Sequence, residues 1–419
     1  MPEPSRNLSI AFRREEGVGA VSEGKEFDAV NRREFLKIGL AGTTSALFGL
    51  NAISEAVRCY ASSEAGPFEF PKLVYRTLGR TGLKITAVSF GAMLTPEPEV
   101  IKIAFDLGVN YVDTARRYMG GKNEEIVGKA LKGRRDRIYV ATKTQPSSHS
   151  KEDIIRDVEA SLKALDTDYV DVIQLHNLTD KERIFTPETR EALIKLREQG
   201  KVRFFGVTTH KNQSEVLNAL VDDRDRFFDT GLVAFNFKSE KPVADAMERA
   251  AKANIGIIAM KTQAGGYASE ALGQISPHQE ALKWVLQHKY VTAAIPGMKD
   301  LAQLKEDIAV MGMPYKYADD RILKRYSAAV EGQYCHFCGK CEGTCPMGVE
   351  ISTINRSLMY AQGAYKSKEL ALATYREIPL SASANVCLDC SADIGACAAR
   401  CINGIDISAK MGLARRLLS

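Results

Sequence analysis

The chain has 419 residues, 45% of them hydrophobic and 26% charged, with a formal net charge of +5. That length exceeds one small domain and suits two domains plus a leader segment. No run of 18 apolar residues offers a membrane-spanning helix, and no basic stripe with interleaved aromatics supports nucleic-acid binding.

First in chain order comes Asn31-Arg32-Arg33-Glu34-Phe35-Leu36-Lys37, followed by an apolar, small-residue stretch from Ile38 to Leu50. Paired arginines, then Phe-Leu-Lys, then a mild apolar segment resemble the signal of the twin-arginine export pathway. The signal is set at residues 1–65, with cleavage expected between Ala56 and Ala65. It implies the twin-arginine export machinery as a partner. The destination is then periplasmic or otherwise extracytoplasmic, and membrane-associated if the signal is retained. An amphipathic N-terminal helix that stays attached is the alternative. Asn31 departs from the Ser or Thr usual there, and thirty residues precede the motif. Cys59 reads as an incidental thiol.

From Lys72 onward, short β-branched runs alternate with helical-period segments, the sign of βα units and a parallel sheet. The predicted strands are 87–93, 111–115, 138–144, 169–176, 202–210, 231–237, 255–261 and 291–297. Most are continuously apolar, as strands buried on both faces should be. The intervening helices are predicted at 97–107, 124–131, 151–165, 189–199, 213–221, 243–253, 279–288 and 301–310. Eight strand–helix units in about 240 residues fit an α/β (β/α)8 barrel spanning 72–315. Ahead of the first strand, Gly79-Arg80-Thr81-Gly82 lies between two extended pieces and predicts a hairpin closing the barrel bottom. An open doubly wound sheet is the rival, but no G-x-G-x-x-G follows the first strand. After Tyr317 the strand signal ends, and helical stretches at 318–331 and 367–376 flank a cysteine-rich tail.

Reactive residues of such barrels sit at the C-terminal ends of strands. Here those ends deliver Asp113, Lys143 and His176, and Tyr118 follows in the next loop. The strings NYVDTARRYMGGKNEEIVGKAL, VATK, VIQLH, GVTTH and AAIPGMKDLAQLKED resemble the aldo/keto reductase family over roughly 72 to 313. The resemblance implies reduction of a small-molecule carbonyl, or oxidation of the alcohol. Tyr118 would be the proton donor, Lys143 would lower its pKa from about 10, Asp113 would orient Lys143, and His176 would position the carbonyl oxygen. It also implies NADP(H), with Gly297, Lys299, Gln303, Glu306 and Asp307 at its adenosine end. Thr208, Asn236 and Lys261 would line the nicotinamide side. Phe235 is open between stacking on the nicotinamide and a core role.

Eight of the nine cysteines fall in the last 85 residues. Cys335, Cys338, Cys341 and Cys345 form C-x2-C-x2-C-x3-C-P, which resembles the run binding cubane clusters in bacterial ferredoxins. Cys387, Cys390, Cys397 and Cys401 repeat it with a stretched middle gap. By that resemblance, residues 316–419 form a small α-helical ferredoxin-like domain with two 4Fe-4S clusters. Cys335, Cys338, Cys341 and Cys401 would hold one; Cys387, Cys390, Cys397 and Cys345 would hold the other. Two four-cysteine zinc sites are the alternative.

Together these features imply an exported NADP(H)-linked aldo/keto reductase carrying two clusters. Hydride moves two electrons together, whereas a cluster passes one at a time. The clusters are therefore left open as structural or as serving a one-electron redox partner. The alternative function is an electron-transfer or redox-sensing protein whose barrel binds substrate without turnover.

Overall fold

The computed structural model describes residues 72–145, 150–266, 276–363, 365–390, 397, 400–401 and 403–418. All lie in the second of two compact units, Phe70–Ser419. The signal segment expected at 1–65, with Cys59, lies outside the described residues.

A short hairpin comes first, β1 (Tyr75–Thr77) antiparallel to β2 (Lys84–Thr86). Eight parallel strands follow: β3 (Phe90–Gly91), β4 (Tyr111–Asp113), β5 (Tyr139–Thr144), β6 (Val170–Leu175), β7 (Val202–Thr209), β8 (Thr230–Ala234), β9 (Gly256–Met260) and β10 (Ala293–Ala294). Each pairs with its sequence neighbours, and parallel bridges Val88–Ala294 and Gly91–Gly297 join the two ends. That closure makes a barrel and rules out the open-sheet rival. The closing strands are shorter than predicted. Pro296 has no N–H to give a ladder, although its carbonyl accepts the Gly91 amide at 3.1 Å. Gly91 is required there, since a Cβ would stand 2.7 Å from the carbonyl oxygens of Ile295 and Pro296.

Helices α1 (Pro98–Asp106), α2 (Lys122–Leu131), α3 (Lys151–Leu165), α4 (Pro187–Glu198), α5 (Gln213–Asp222), α6 (Lys241–Lys252), α7 (Pro277–Leu286) and α8 (Leu301–Ile308) alternate with the strands, as predicted. Helix α3 shows why. Ser150 caps it by accepting the Asp153 amide, and Asp166 stops it in the left-handed region at φ 53°. Ile154, Val158, Ser161, Leu162 and Leu165 recur on one face, and that face is buried. Each large aliphatic so placed contributes about 1.5–3 kcal/mol.

Inside the barrel, Leu78, Leu83 and Ile85 of the hairpin pack with Tyr111, Ala141, Val172 and Ile258. Gly79, at φ 47°, allows the hairpin to approach so closely: a Cβ there would lie 2.3 Å from the Gly256 nitrogen. The hairpin thus closes the end opposite the strand C-termini.

The C-terminal segment contains α9 (Tyr317–Ala329), α10 (Ile351–Gln362), α11 (Lys368–Tyr375) and α12 (Ile407–Leu418). The first and third were predicted; α10 and α12 were not. Helix α10 has nine of twelve residues buried, among them Ser352, Asn355, Arg356 and Ser357, so no one-sided apolar stripe marks it. Its core includes Tyr326, Val330, Ile354, Leu358, Ala371, Tyr375 and Met411, together with Ala264, Met93 and Phe237 from the barrel's strand-end loops. Lys238 donates to Ser327 at 2.8 Å, Tyr326 to the Gln263 carbonyl at 3.0 Å, and Lys211 pairs with Glu342. The segment is seated on the barrel mouth.

Candidate active site

Strand register assembles the first group of side chains. Asp113 closes β4, Lys143 stands next to last in β5, and Gln174 faces Lys143 from β6. The Lys143 ammonium pairs with Asp113 and donates to the Thr114 carbonyl at 2.7 Å. Gln174 donates to the other Asp113 oxygen at 2.8 Å. Lys143 is 1% exposed and Asp113 3%. Burial pushes the carboxyl's pKa up and the ammonium's down, and each charge opposes the other's shift.

Tyr118 opens a tight loop whose next three residues, Met119, Gly120 and Gly121, all have positive φ. That turn brings the phenol ring over Lys143, with Nζ 4.6 Å from the ring centroid. The His176 ring, directly after β6, meets Tyr118 edge-on with centroids 5.8 Å apart. All four predicted residues are therefore together.

One expectation changes. Lys143 was expected to lower the Tyr118 pKa, yet burial raises it well above 10, with Asp113 adding to the rise. Two of the lysine's three protons go to Asp113 and Thr114, and it meets Tyr118 through the ring face. The phenol therefore stays protonated. His176 is held well below the usual histidine range, first by burial and then by Lys143, Arg356, Arg117 and Arg183. It is a neutral imidazole, and its Nδ1 is buried without a hydrogen-bond partner among the described residues. A protonated phenol and a neutral imidazole side by side can both serve an oxygen on which negative charge develops.

The sequence reading missed the residues that cover this group. Arg356 and Tyr360 lie one turn apart on α10 and so share a face. Arg356 donates to Asn177 Oδ1 at 3.3 Å and to Glu377 at 3.1 Å. Asn177 Oδ1 also meets His210 Nδ1 at 2.9 Å. Lys261, at φ 56°, donates to the Tyr360 hydroxyl at 2.8 Å and the Tyr365 hydroxyl at 3.4 Å. The i, i+4 spacing of Arg356 and Tyr360 was the available signal, hidden because α10 itself was not recognised.

A cleft of about 160 Å³ runs from Asp113, Tyr118, His176 and Arg356 past Gly265 and Gly266 to Gly297, Lys299 and Gln303. Lys261, Gly297, Lys299, Gln303, Glu306 and Asp307 line it as expected. Thr208 and Asn236 do not. The Thr208 hydroxyl accepts the Asn177 amide at 2.7 Å, while Asn236 donates to the Lys261 carbonyl at 2.9 Å and to Tyr334 at 3.0 Å. Phe235 takes the core role, packed against Trp284, His288 and Tyr290.

At the far end, Gln303 accepts the Lys299 amide at 2.9 Å, Asp300 caps the Gln303 amide at 2.9 Å, and Lys299 Nζ donates to the Tyr365 carbonyl at 2.5 Å. Asp307 takes a hydrogen bond from Gln263 at 2.8 Å, and burial holds its carboxyl well above the usual range. These residues partly satisfy one another. The long cleft, its two successive left-handed glycines and a lysine at its end still fit a dinucleotide phosphate.

The eight C-terminal cysteines are free thiols. Cys335 lies within electrostatic reach of Cys341, Cys338 and Cys401, and Cys387 within reach of Cys345, Cys390 and Cys397. Each run's fourth cysteine thus lies within electrostatic reach of the other run's first. Burial raises the Cys335 and Cys387 thiols, and Cys341 to about 11. Among the described residues, no three or more His, Cys, Asp or Glu side chains form a group able to hold a single metal ion.

The profile of the Aldo/keto reductase family matches residues 95–272. An oxidoreductase of Bacillus subtilis named YqkF, itself uncharacterised, is 30% identical over 277 residues, covering 56% of this chain and 89% of that protein. An aldo-keto reductase from Klebsiella pneumoniae, solved in complex with NADPH, aligns with a TM-score of 0.52 at 26% identity. That alignment spans 60% of this chain and 95% of the other. The fold is also that of aldo-keto reductase AKR11C1 from Bacillus halodurans, with a TM-score of 0.53 at 24% identity, over 61% of this chain and 96% of that one.

Proposed function

The chain belongs to the aldo/keto reductase family of oxidoreductases, and from that premise we propose an exported, NADP(H)-linked reductase interconverting a carbonyl and an alcohol, with two 4Fe-4S clusters in its C-terminal segment. The observation that carries the reductase reading is the cluster of Asp113, Tyr118, Lys143 and His176 at the strand ends of one cleft. Bound NADPH would supply the hydride. Gly265, Gly266, Gly297, Lys299 and Gln303 are the residues available to hold it.

The chain's own groups do the rest. Tyr118, kept protonated by burial, donates its proton to the carbonyl oxygen as negative charge grows there. His176, kept neutral, orients that oxygen without placing a second cation beside Lys143. The Lys143–Asp113 pair fixes the floor beneath the tyrosine ring, and Tyr360 of α10, with Tyr365 beyond the helix end, shields the site from water. The test is consumption of NADPH, followed by absorbance, with a panel of aldehydes and ketones. Binding of NADPH with no turnover of any carbonyl would favour the electron-transfer alternative instead.

Two quartets of cysteines, each drawn from both runs, support the cluster reading. Burial and crowding raise these thiols' pKa values, so holding them as thiolates calls for bound cations such as cluster iron. Anaerobically purified protein should contain about eight iron and eight sulfide per chain. Stoichiometric zinc with negligible sulfide would sink this reading.

The export reading rests on Arg32 and Arg33 with the Phe-Leu-Lys and apolar stretch that follow them. Replacing both with lysine (Arg32→Lys, Arg33→Lys) should leave the precursor in the cytoplasm with its iron and sulfide complement intact. Fractionation that finds the double variant exported at the parental level would remove the export proposal.

A further inference from the structure

The electrostatics of the covered end of the cleft point to the chemical class of its substrate. Lys143 and Asp113 cancel, as do Arg356 and Glu377. Lys261 is left over. Its hydrogen-bond partners are the neutral hydroxyls of Tyr360 and Tyr365, and among the described residues no carboxylate forms an ion pair with it. Its ammonium is buried enough that desolvation lowers its pKa. An ammonium held this way is costly unless an anion joins it.

Arg356 is 6% exposed, lines the same cleft, and keeps its Nε buried without a hydrogen-bond partner. A guanidinium edge with spare donors suits a planar carboxylate. Arg117 adds further positive charge at the exposed rim. Of the buried charges that line this end of the cleft, Lys261 is the one without a carboxylate partner among the described residues, which suits a monoanion. Lys299, the cation placed for a cofactor phosphate, belongs to the other end of the cleft.

We propose that the substrate is a small carboxylic acid bearing the reacting carbonyl or hydroxyl, its carboxylate held between Arg356 and Lys261 beside Tyr118 and His176. The inference rests on the reductase reading for what happens to the carbonyl, but the carboxylate site stands on its own geometry. It assigns α10 a role that the barrel alone does not have: the C-terminal segment chooses the substrate.

The experiment uses the full chain, purified anaerobically and saturated with NADP+. Short 2-oxo and 2-hydroxy acids of two to six carbons are titrated calorimetrically, each beside its primary amide. At least one acid should bind about 10–100-fold more tightly than its amide, the usual range for a charge-assisted hydrogen bond. Arg356→Gln and Lys261→Met should each bring that ratio toward one. Glu377→Gln removes the carboxylate competing for Arg356 and should tighten acid binding several-fold, a gain that a damaged fold cannot imitate.

Equal binding of acids and amides, binding of neither, or acid binding lost when NADP+ is present would overturn the proposal. So would weaker acid binding by Glu377→Gln. Failure of the reductase reading looks different. Acids would bind selectively, yet NADPH would be consumed with no carbonyl, acidic or neutral.

Discussion

Tyr118→Phe should cut turnover of any carbonyl the parent reduces by about 10²–10⁴-fold, the usual cost of losing a general acid. The substitution removes one hydroxyl and keeps the ring. The ring's contacts with Lys143 and His176 therefore survive, and nucleotide binding should change little. Neither His176 nor Lys143 is set to replace the lost proton. His176 is neutral because burial and the surrounding cations keep it so. The Lys143 ammonium has two of its three protons directed at Asp113 and the Thr114 carbonyl. Steady-state rates beside a nucleotide titration make the measurement. A variant that keeps near-parental turnover would show that Tyr118 is not the acid, and Tyr360, the other phenol facing this end of the cleft, would become the candidate.

Lys143→Met should be the most destabilising single change in the site. It leaves the Asp113 carboxylate 3% exposed, with Gln174 as its one remaining side-chain partner. Breaking a buried pair from one side typically costs about 3–5 kcal/mol. Pairing it with Asp113→Asn removes the stranded charge, so the double variant should recover much of that loss in denaturant unfolding. Turnover should stay low in both, because the floor beneath Tyr118 is altered either way. Additive losses in the double variant would mean that the pair is not coupled in the folded protein.

The barrel was legible because each unit carries its own local signals. Helix α3 was predicted to the residue, since Ser150 and Asp166 mark its ends and its buried face repeats every three to four positions. Asp113, Lys143 and His176 were legible because a parallel strand's C-terminal end is readable once the strand is, and Tyr118 follows five residues after Asp113 in the next loop. Thr208, Asn236 and Phe235 show the limit. At a strand end, alternate side chains point into the barrel mouth or outward, and a one-residue difference reverses the assignment. Phe235 faces Trp284 and His288 for that reason.

By itself, then, the sequence determined the order of the barrel's elements, the Asp113–Tyr118–Lys143–His176 set and the two cysteine runs. Each is written in short-range spacing, where local backbone geometry dictates which side chains are neighbours. Only the tertiary structure decided that α10 lies over the cleft, that Tyr360 and Tyr365 meet Lys261 from about a hundred residues away, and that Tyr118 stays protonated. Those outcomes depend on burial and on charges brought together across the chain. Desolvation acts through everything packed around a group, and no spacing along the chain encodes it.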